Sequence, residues 1–236
     1  ILEEEGSLSC IITPNDGSGP VKTRAGQILM AIGRRPDVSR LLGKDISLDM
    51  KDGKIAVDSD FETSEPGVYA IGDVAARTQL AHVAAAQGTY VVEKIAGRPH
   101  SIKLEVVPNG MFVSLPIVPN CIYTDPEIAT VGITEEIAKK YGLKVRCGHF
   151  SMRDNGKSII TGEEHGFIRL LFEAYSNTIV GAQMMCPRAT DMIGEIATAI
   201  ANGLTAQEMS FAMRAQPTYN EGIGAAIEDA MRQNPV

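Results

Sequence analysis

Two short stretches carry the side chains most able to do chemistry. In GVYAIGDV, residues 67–74, an apolar run of strand type ends in Gly72 and Asp73, which sets a carboxylate at the tip of a run expected to be buried. A charge there is costly unless a polar group meets it, and strand tips in α/β sheets are where nucleotides dock. On the residues alone, Asp73 either accepts hydrogen bonds from a ligand or N-caps the helix that follows. In RAQPTYNE, residues 214–221, Thr218 and Glu221 have the spacing of a capping box, which needs no catalysis to explain it. His82, near the start of the helix after Asp73, is the only imidazole beside either stretch. Imidazole changes charge near neutral pH, but a packing or capping role is the simpler reading.

Other chemistries find little support. DGSGP, residues 16–20, has the glycines of a phosphate loop, but Pro20 lacks a backbone N–H and no helical pattern follows, so a hairpin turn is expected. GIGAAI, residues 222–227, imitates a dinucleotide fingerprint, yet it lies in a helical pattern with no strand before it. Cys10, Cys121, Cys147 and Cys186 are far apart, with no Cys-x-x-Cys pair and no zinc spacing, and read as structural thiols in a reducing compartment. No metal site is expected. The net charge of −7 offers no basic footprint for nucleic acid or an anionic membrane. The longest apolar stretch, MFVSLPIVP, is interrupted by Pro116 and Pro119, and nothing approaches the ~18 apolar residues of a membrane span.

The elements that must position these residues follow from periodicity. LSCIIT and the continuous apolar run QILMAIG read as strands, the second buried on both faces. Residues 51–74 read as short strands between turns. A helix over RTQLAHVAAAQGTYVVEKIAG should pack Leu80, Ala84, Val91, Val92 and Ile95 on a sheet and end at Gly97 and Pro99. After about Pro116 the pattern becomes α+β: IVPNCIYT, EIATVG, KVRCGHF, GFIRLLFE and TIVGAQMM are strand-like, the last two joined by the turn AYSN. TEEIAKKYG is a helix with Thr134 as N-cap, and DMIGEIATAIANG is a helix with the stripe Met192, Ile193, Ile196 and Ile200. Thr205 with Glu208, and Thr218 with Glu221, should open two more helices.

The order AIGRRPD, TSEPGVYAIGDV, LAHVAAAQG, YTDPEIATVGITEE and QPTYNE resembles the C-terminal half of the pyridine nucleotide–disulfide oxidoreductases, nearest the dihydrolipoamide dehydrogenases. The resemblance implies an α/β plus α+β protein: residues 1–35 as the tail of an NAD-binding domain, 36–110 as the returning segment of a Rossmann-like FAD-binding domain, and 111–236 as an interface (dimerisation) domain with an antiparallel sheet. It implies FAD and NAD as cofactors, with Gly33, Gly72, Asp73, Leu80, Ala81 and His82 at cofactor-binding positions. In that role Asp73 accepts hydrogen bonds from the ribitol of FAD, a charge-assisted contact, and the helix from Leu80 to His82 aims free N–H groups at the flavin. The family's two glycine fingerprints and its Cys-x-x-x-x-Cys pair are not in these residues. The opening, ILEEEGSLSCIITP, reads as the inside of a domain, so either a fragment with an upstream part or a processed chain is expected, and the chain alone is expected to be inactive.

One departure concerns the acid/base position. The family places a His before Pro-Thr, with a Glu five residues on, to take a proton from the attacking dithiol. Here Gln216 stands at the His position and Arg214 at an upstream His, while Pro217, Thr218 and Glu221 match. Three readings follow: a dihydrolipoamide dehydrogenase-like enzyme with an altered dyad, a transhydrogenase or diaphorase without a dithiol step, or a non-catalytic dimerisation module. The first is favoured because the interface domain looks intact. The resemblance further implies a homodimer, with helix 189–203 and the strands around 166–185 supplying its surface. A 2-oxo acid dehydrogenase complex is a candidate partner, and the expected location is the cytoplasm, or the mitochondrial matrix in a eukaryote.

Overall fold

The computed structural model describes residues 2–4, 7–43, 46–76, 78–106 and 115–233. Strands β1 (Leu2–Glu4), β2 (Ser7–Ile12) and β3 (Val21–Ala25) form an antiparallel meander in that order. Ile12 faces Val21 across the β2–β3 connection, so DGSGP is the hairpin turn expected. The run over residues 27–33 departs from expectation: it forms no strand, and Leu29 and Ile32 are each 90% exposed. An apolar run becomes a doubly buried strand only where neighbours pair its backbone and cover both faces. No described strand pairs with it.

Strands β4 (Met50–Lys51) and β5 (Lys54–Ile55) make a two-stranded hairpin, turned through Asp52 and Gly53 at positive φ. Leu48, Ile55 and Ala70 bury against one another there as a small separate core. GVYAIGDV is not a regular strand; a single bridge from Tyr69 to Glu62 pairs it, and Gly72–Val74 closes it as one 3-10 turn. Helix α1 (Ala81–Ile95) follows and ends at Ala96, with Gly97 at φ +62°. It buries Val83, Gln87 and Val91, a single stripe four residues apart. Val92 and Ile95 face outward, contrary to expectation, because the helix packs on the 3-10 turn and, among the described residues, no sheet covers its other side. Strands β6 (Glu105–Val106) and β7 (Leu115–Pro116) pair next. The expected domain boundary at 110/111, and residues 111–114 of MFVSLPIVP, lie outside the described residues.

From residue 117 the chain builds one antiparallel sheet in the order β10-β11-β12-β9-β8. Its strands are β8 (Asn120–Ile122), β9 (Ile128–Gly132), β10 (Val145–Ser151), β11 (Phe167–Glu173) and β12 (Ile179–Met185). Helix α2 (Glu135–Lys140) sits between β9 and β10, capped by the Thr134 hydroxyl, which accepts from the Ile137 N–H at 3.2 Å. Helix α3 (Gly156–Thr161) follows β10, and after β12 come α4 (Ala189–Asn202), α5 (Ala206–Ser210) and α6 (Glu221–Arg232). Side chains alternate across the sheet: Ile168, Leu170 and Phe172 of β11 face α4 and α6, whereas Leu171 packs with Ile133, Ala138, Val145 and Val180 on the other side. Gly148 of β10 lets α6 approach; a Cβ there would collide with the Ala226 carbonyl.

The stripe of α4 is as expected, with Met192, Ile193, Ile196 and Ile200 buried. Its placement corrects the dimer expectation. Ile196 and Leu170 are fully buried within this one chain, because α4 lies against β9 and β12. The apolar stripe of helix 189–203 and the inward side chains of strands 166–185 are therefore core of this chain and are not themselves the surface offered to a second subunit. No described helix is long and apolar enough to cross a membrane.

Candidate functional site

The first candidate region is built by the turn ahead of α1. Gly72 has φ +68°, and its N–H donates to the Oε1 of Gln87 at 2.9 Å. A Cβ on Gly72 would sit 3.0 Å from the Cβ of Ala84, a tight contact at a positive φ that side chains rarely adopt, so glycine suits the close approach of the turn to the helix. Asp73 is thereby held half-exposed at the end of the extended run. Its Oδ2 lies 3.7 Å from Nη1 of Arg34, whose Nη2 donates to the Gln79 carbonyl at 2.8 Å. Asp73 does not N-cap α1. Leu80 occupies that position in extended conformation, with no side chain accepting from the first turn. The open alternative for Asp73 is thus resolved against capping, and among the described residues no N-cap side chain takes up the first N–H groups of this 15-residue helix, a place suited to an electron-rich group.

Leu80, Ala81 and His82 lie together at that helix start. The Nε2 of His82 makes a 2.9 Å hydrogen bond with the Pro119 carbonyl, tying α1 to the strand that enters the large sheet. That is a structural tie, in keeping with the simpler reading. Gly33 sits apart in the exposed 27–33 segment, at φ +120°, next to Arg34.

The second region is the loop between α5 and α6. Gln216, in a cis bond to Pro217, is exposed and faces a groove of about 450 Å³ whose lining includes Glu221, Asp154, Asn155 and Glu228. All the lining residues fall between 150 and 228, so Asp73 and His82 do not share this groove with Gln216. The second capping box is corrected. Helix α6 starts at Glu221 with Asn220 before it, and the Thr218 hydroxyl donates to the Ala215 carbonyl at 2.7 Å. Only the return half survives, Thr218 N–H to Glu221 Oε2 at 2.9 Å. Thr205 and Glu208, in contrast, make the complete box that opens α5.

Arg34, Gln87, Glu195 and Asn220 have roles that spacing alone does not disclose. Gln87 carries a signal in hindsight, a polar residue at the buried face of an amphipathic helix. All four cysteines are free; burial pushes the Cys186 thiol up to about 12, and burial with the Glu135 carboxylate pushes Cys147 equally to about 12. Neither is a thiolate at neutral pH, so neither is a nucleophile. Among the described residues no cluster of His, Cys, Asp or Glu could hold a metal ion.

A family model for the pyridine nucleotide-disulphide oxidoreductase dimerisation domain matches residues 118–227, and one for the pyridine nucleotide-disulphide oxidoreductases matches residues 3–88. The chain belongs to this family. Among its relatives, the dihydrolipoyl dehydrogenase of Geobacillus stearothermophilus is 34% identical over 92% of the chain and 44% of the relative. That of Haloferax volcanii is 32% identical over 98% of the chain and 46% of the relative. The solved structure of LpdA from Mycobacterium tuberculosis superposes with a TM-score of 0.78 at 26% identity, over 94% of this chain and 45% of that one. The Escherichia coli flavoprotein disulfide reductase RclA shares the fold, with a TM-score of 0.79 at 16% identity. The chain spans less than half the length of these relatives.

Proposed function

We propose that the chain forms the C-terminal part of a dihydrolipoyl dehydrogenase-like flavoprotein, which passes electrons between a dithiol and NAD through FAD and a redox disulfide supplied by residues outside this chain. One observation carries the reading. The half-exposed Asp73 carboxylate and the uncapped start of α1 are the acceptor and the donors that a polyol-bearing, electron-rich cofactor needs. FAD, when bound, supplies the hydride and electron chemistry. Asp73 would hold its ribitol hydroxyls, Leu80, Ala81 and His82 would bring the helix N–H groups to it, and Gly33, next to the Arg34 that meets Asp73, would be a further cofactor-binding position. Residues 1–35 and 36–110 serve as parts of the NAD and FAD domains, and 111–236 as the interface domain.

At the acid/base position the chain offers an amide. Gln216 cannot hold or release a proton near neutral pH, and Glu221 is turned to the Thr218 N–H. Loss of a positioned base costs about 10²–10⁴ in rate, so weak dithiol turnover is expected. The same observation favours a second reading, a transhydrogenase or diaphorase that moves hydride without a dithiol step; a purely dimerising module is the third. In the full-length parent, a bound flavin separates the enzyme readings from the module. Gln216→His then divides the two: dihydrolipoamide turnover that rises in the variant supports an altered reductase, and no rise supports hydride-only chemistry.

The parent is a homodimer on this reading, with the groove of one subunit completed by the cofactor region of the other, since Asp73 and Gln216 open on different spaces within one chain. The face we assign to the second copy surrounds Phe211 and Met213, which are 71% and 100% exposed beside a trough of about 620 Å³ lined by Ala199, Leu204 and Met209. A 2-oxo acid dehydrogenase complex in the cytoplasm or matrix would be its setting.

A further inference from the structure

Arg214 replaces a second titratable position of the family and is among the most completely engaged side chains of the α5–α6 loop. Its side chain is 10% exposed and its Nη2 lies 2.5 Å from Oε1 of Glu195 on α4. Its Nε donates to the Asn220 Oδ1 at 3.2 Å and its Nη1 to the Ala212 carbonyl at 3.3 Å. Asn220 closes the ring by donating to the other Glu195 oxygen at 3.0 Å. Three side chains therefore bind α4 to both sides of the Gln216–Pro217 pair. From the opposite side the buried Asn155 donates to the Thr218 carbonyl at 3.0 Å, while its own Oδ1 caps α3 through the Ser158 N–H. The loop is held at 214, 218 and 220, and Gln216 between them projects free.

Arginine cannot give up its proton in a protein, and this one is neutralised by Glu195, so it cannot act as a substitute base. Its planar fork is suited instead to fixing several partners at set angles. We propose that Arg214 is a positioning residue that, with Glu195 and Asn220, sets where the side chain at 216 points into the groove. The proposal rests on position 216 being the acid/base position.

The test uses the full-length parent carrying Gln216→His, in which residue 216 reports through its own pH profile among Asp154, Glu221, Glu228 and Arg214. Adding Arg214→Met should lower dihydrolipoamide turnover roughly tenfold to a hundredfold relative to NADH-dependent dye reduction on the same samples. It should also displace the imidazole limb of the profile. Arg214→Lys should recover only part of the loss. Arg214→Met with Glu195→Gln should be no worse than the poorer single change. An unchanged profile and ratio, or parallel loss of both activities, would overturn the proposal. If Gln216→His gives no dithiol turnover at all, the acid/base reading fails by itself. Amide exchange across 212–219 in Arg214→Met then decides: faster exchange at an unchanged melting temperature supports the clamp, and unchanged exchange refutes it.

Discussion

Asp73 and Gln216 are each defined by what surrounds them. Among the described residues the cation paired with Asp73 is Arg34 at 3.7 Å, a distance too long for a tight pair, which suits its carboxylate to accept from a ligand hydroxyl. Hydrogen bonds to a charged group contribute about 1.5–3 kcal/mol, so Asp73→Asn in the parent should weaken FAD retention by roughly tenfold to a hundredfold, read by flavin fluorescence on dilution. Retention equal to that of the unmodified protein would remove Asp73 from the cofactor site. Asp60 gives a pH test. The Lys94 ammonium donates to its Oδ2 at 2.7 Å and the Tyr90 hydroxyl to its Oδ1 at 2.9 Å, and these bonds hold its pKa below the ordinary aspartate value. A depressed folded-state pKa gives stability that is complete above the ordinary value and lost as pH falls through the folded one. The melting temperature of the parent should therefore drop below about pH 4, and Lys94→Met should flatten that drop by removing its largest cause.

Among elements, the second half of the chain was legible because its signals are local and agree. The strand pattern of residues 167–173 and 179–185, the stripe of α4 and the Thr134 and Thr205 caps need only their own neighbours to be read, and each is where spacing put it. Thr205→Ala should cost about 0.5–2 kcal/mol by denaturant unfolding, because it orphans the Glu208 N–H and removes the hydroxyl's bond to the Glu208 carboxylate, which keeps the backbone N–H of residue 205. Ile196→Ala, in the centre of the core, should cost about 2–5 kcal/mol. Residues 27–33, Val92 and Ile95 were not legible. Apolar content reports that burial would be favourable, while the partner surface lies elsewhere in sequence. The α4 stripe misled for a related reason: hydrophobicity does not say whether the covering element is the chain's own sheet or another subunit. Thr218 shows the limit of motif spacing, since its box gave way to a bond to Ala215 once Arg214 and Asn155 had fixed the loop.

At the scale of the molecule, the assignment of the Phe211–Met213 face makes the assembly testable. Obligate interfaces bury upwards of ~2,000 Å², and a charge at the centre of such a patch is poorly tolerated. Met213→Asp should shift the parent from dimer to monomer in sedimentation at micromolar concentration, while the melting of the 117–233 domain, whose core it does not enter, stays in place. A dimer that withstands the change would put the contact on another face. The uneven distribution of core carries its own consequence. Residues 117–233 enclose a self-sufficient interior between one sheet and its helices, whereas among the described earlier residues the buried apolar cluster is the small one of Leu48, Ile55 and Ala70. Brief trypsin treatment of this polypeptide ought to nibble away the leading half at Arg34 and Arg40 and spare a hardy C-terminal remnant.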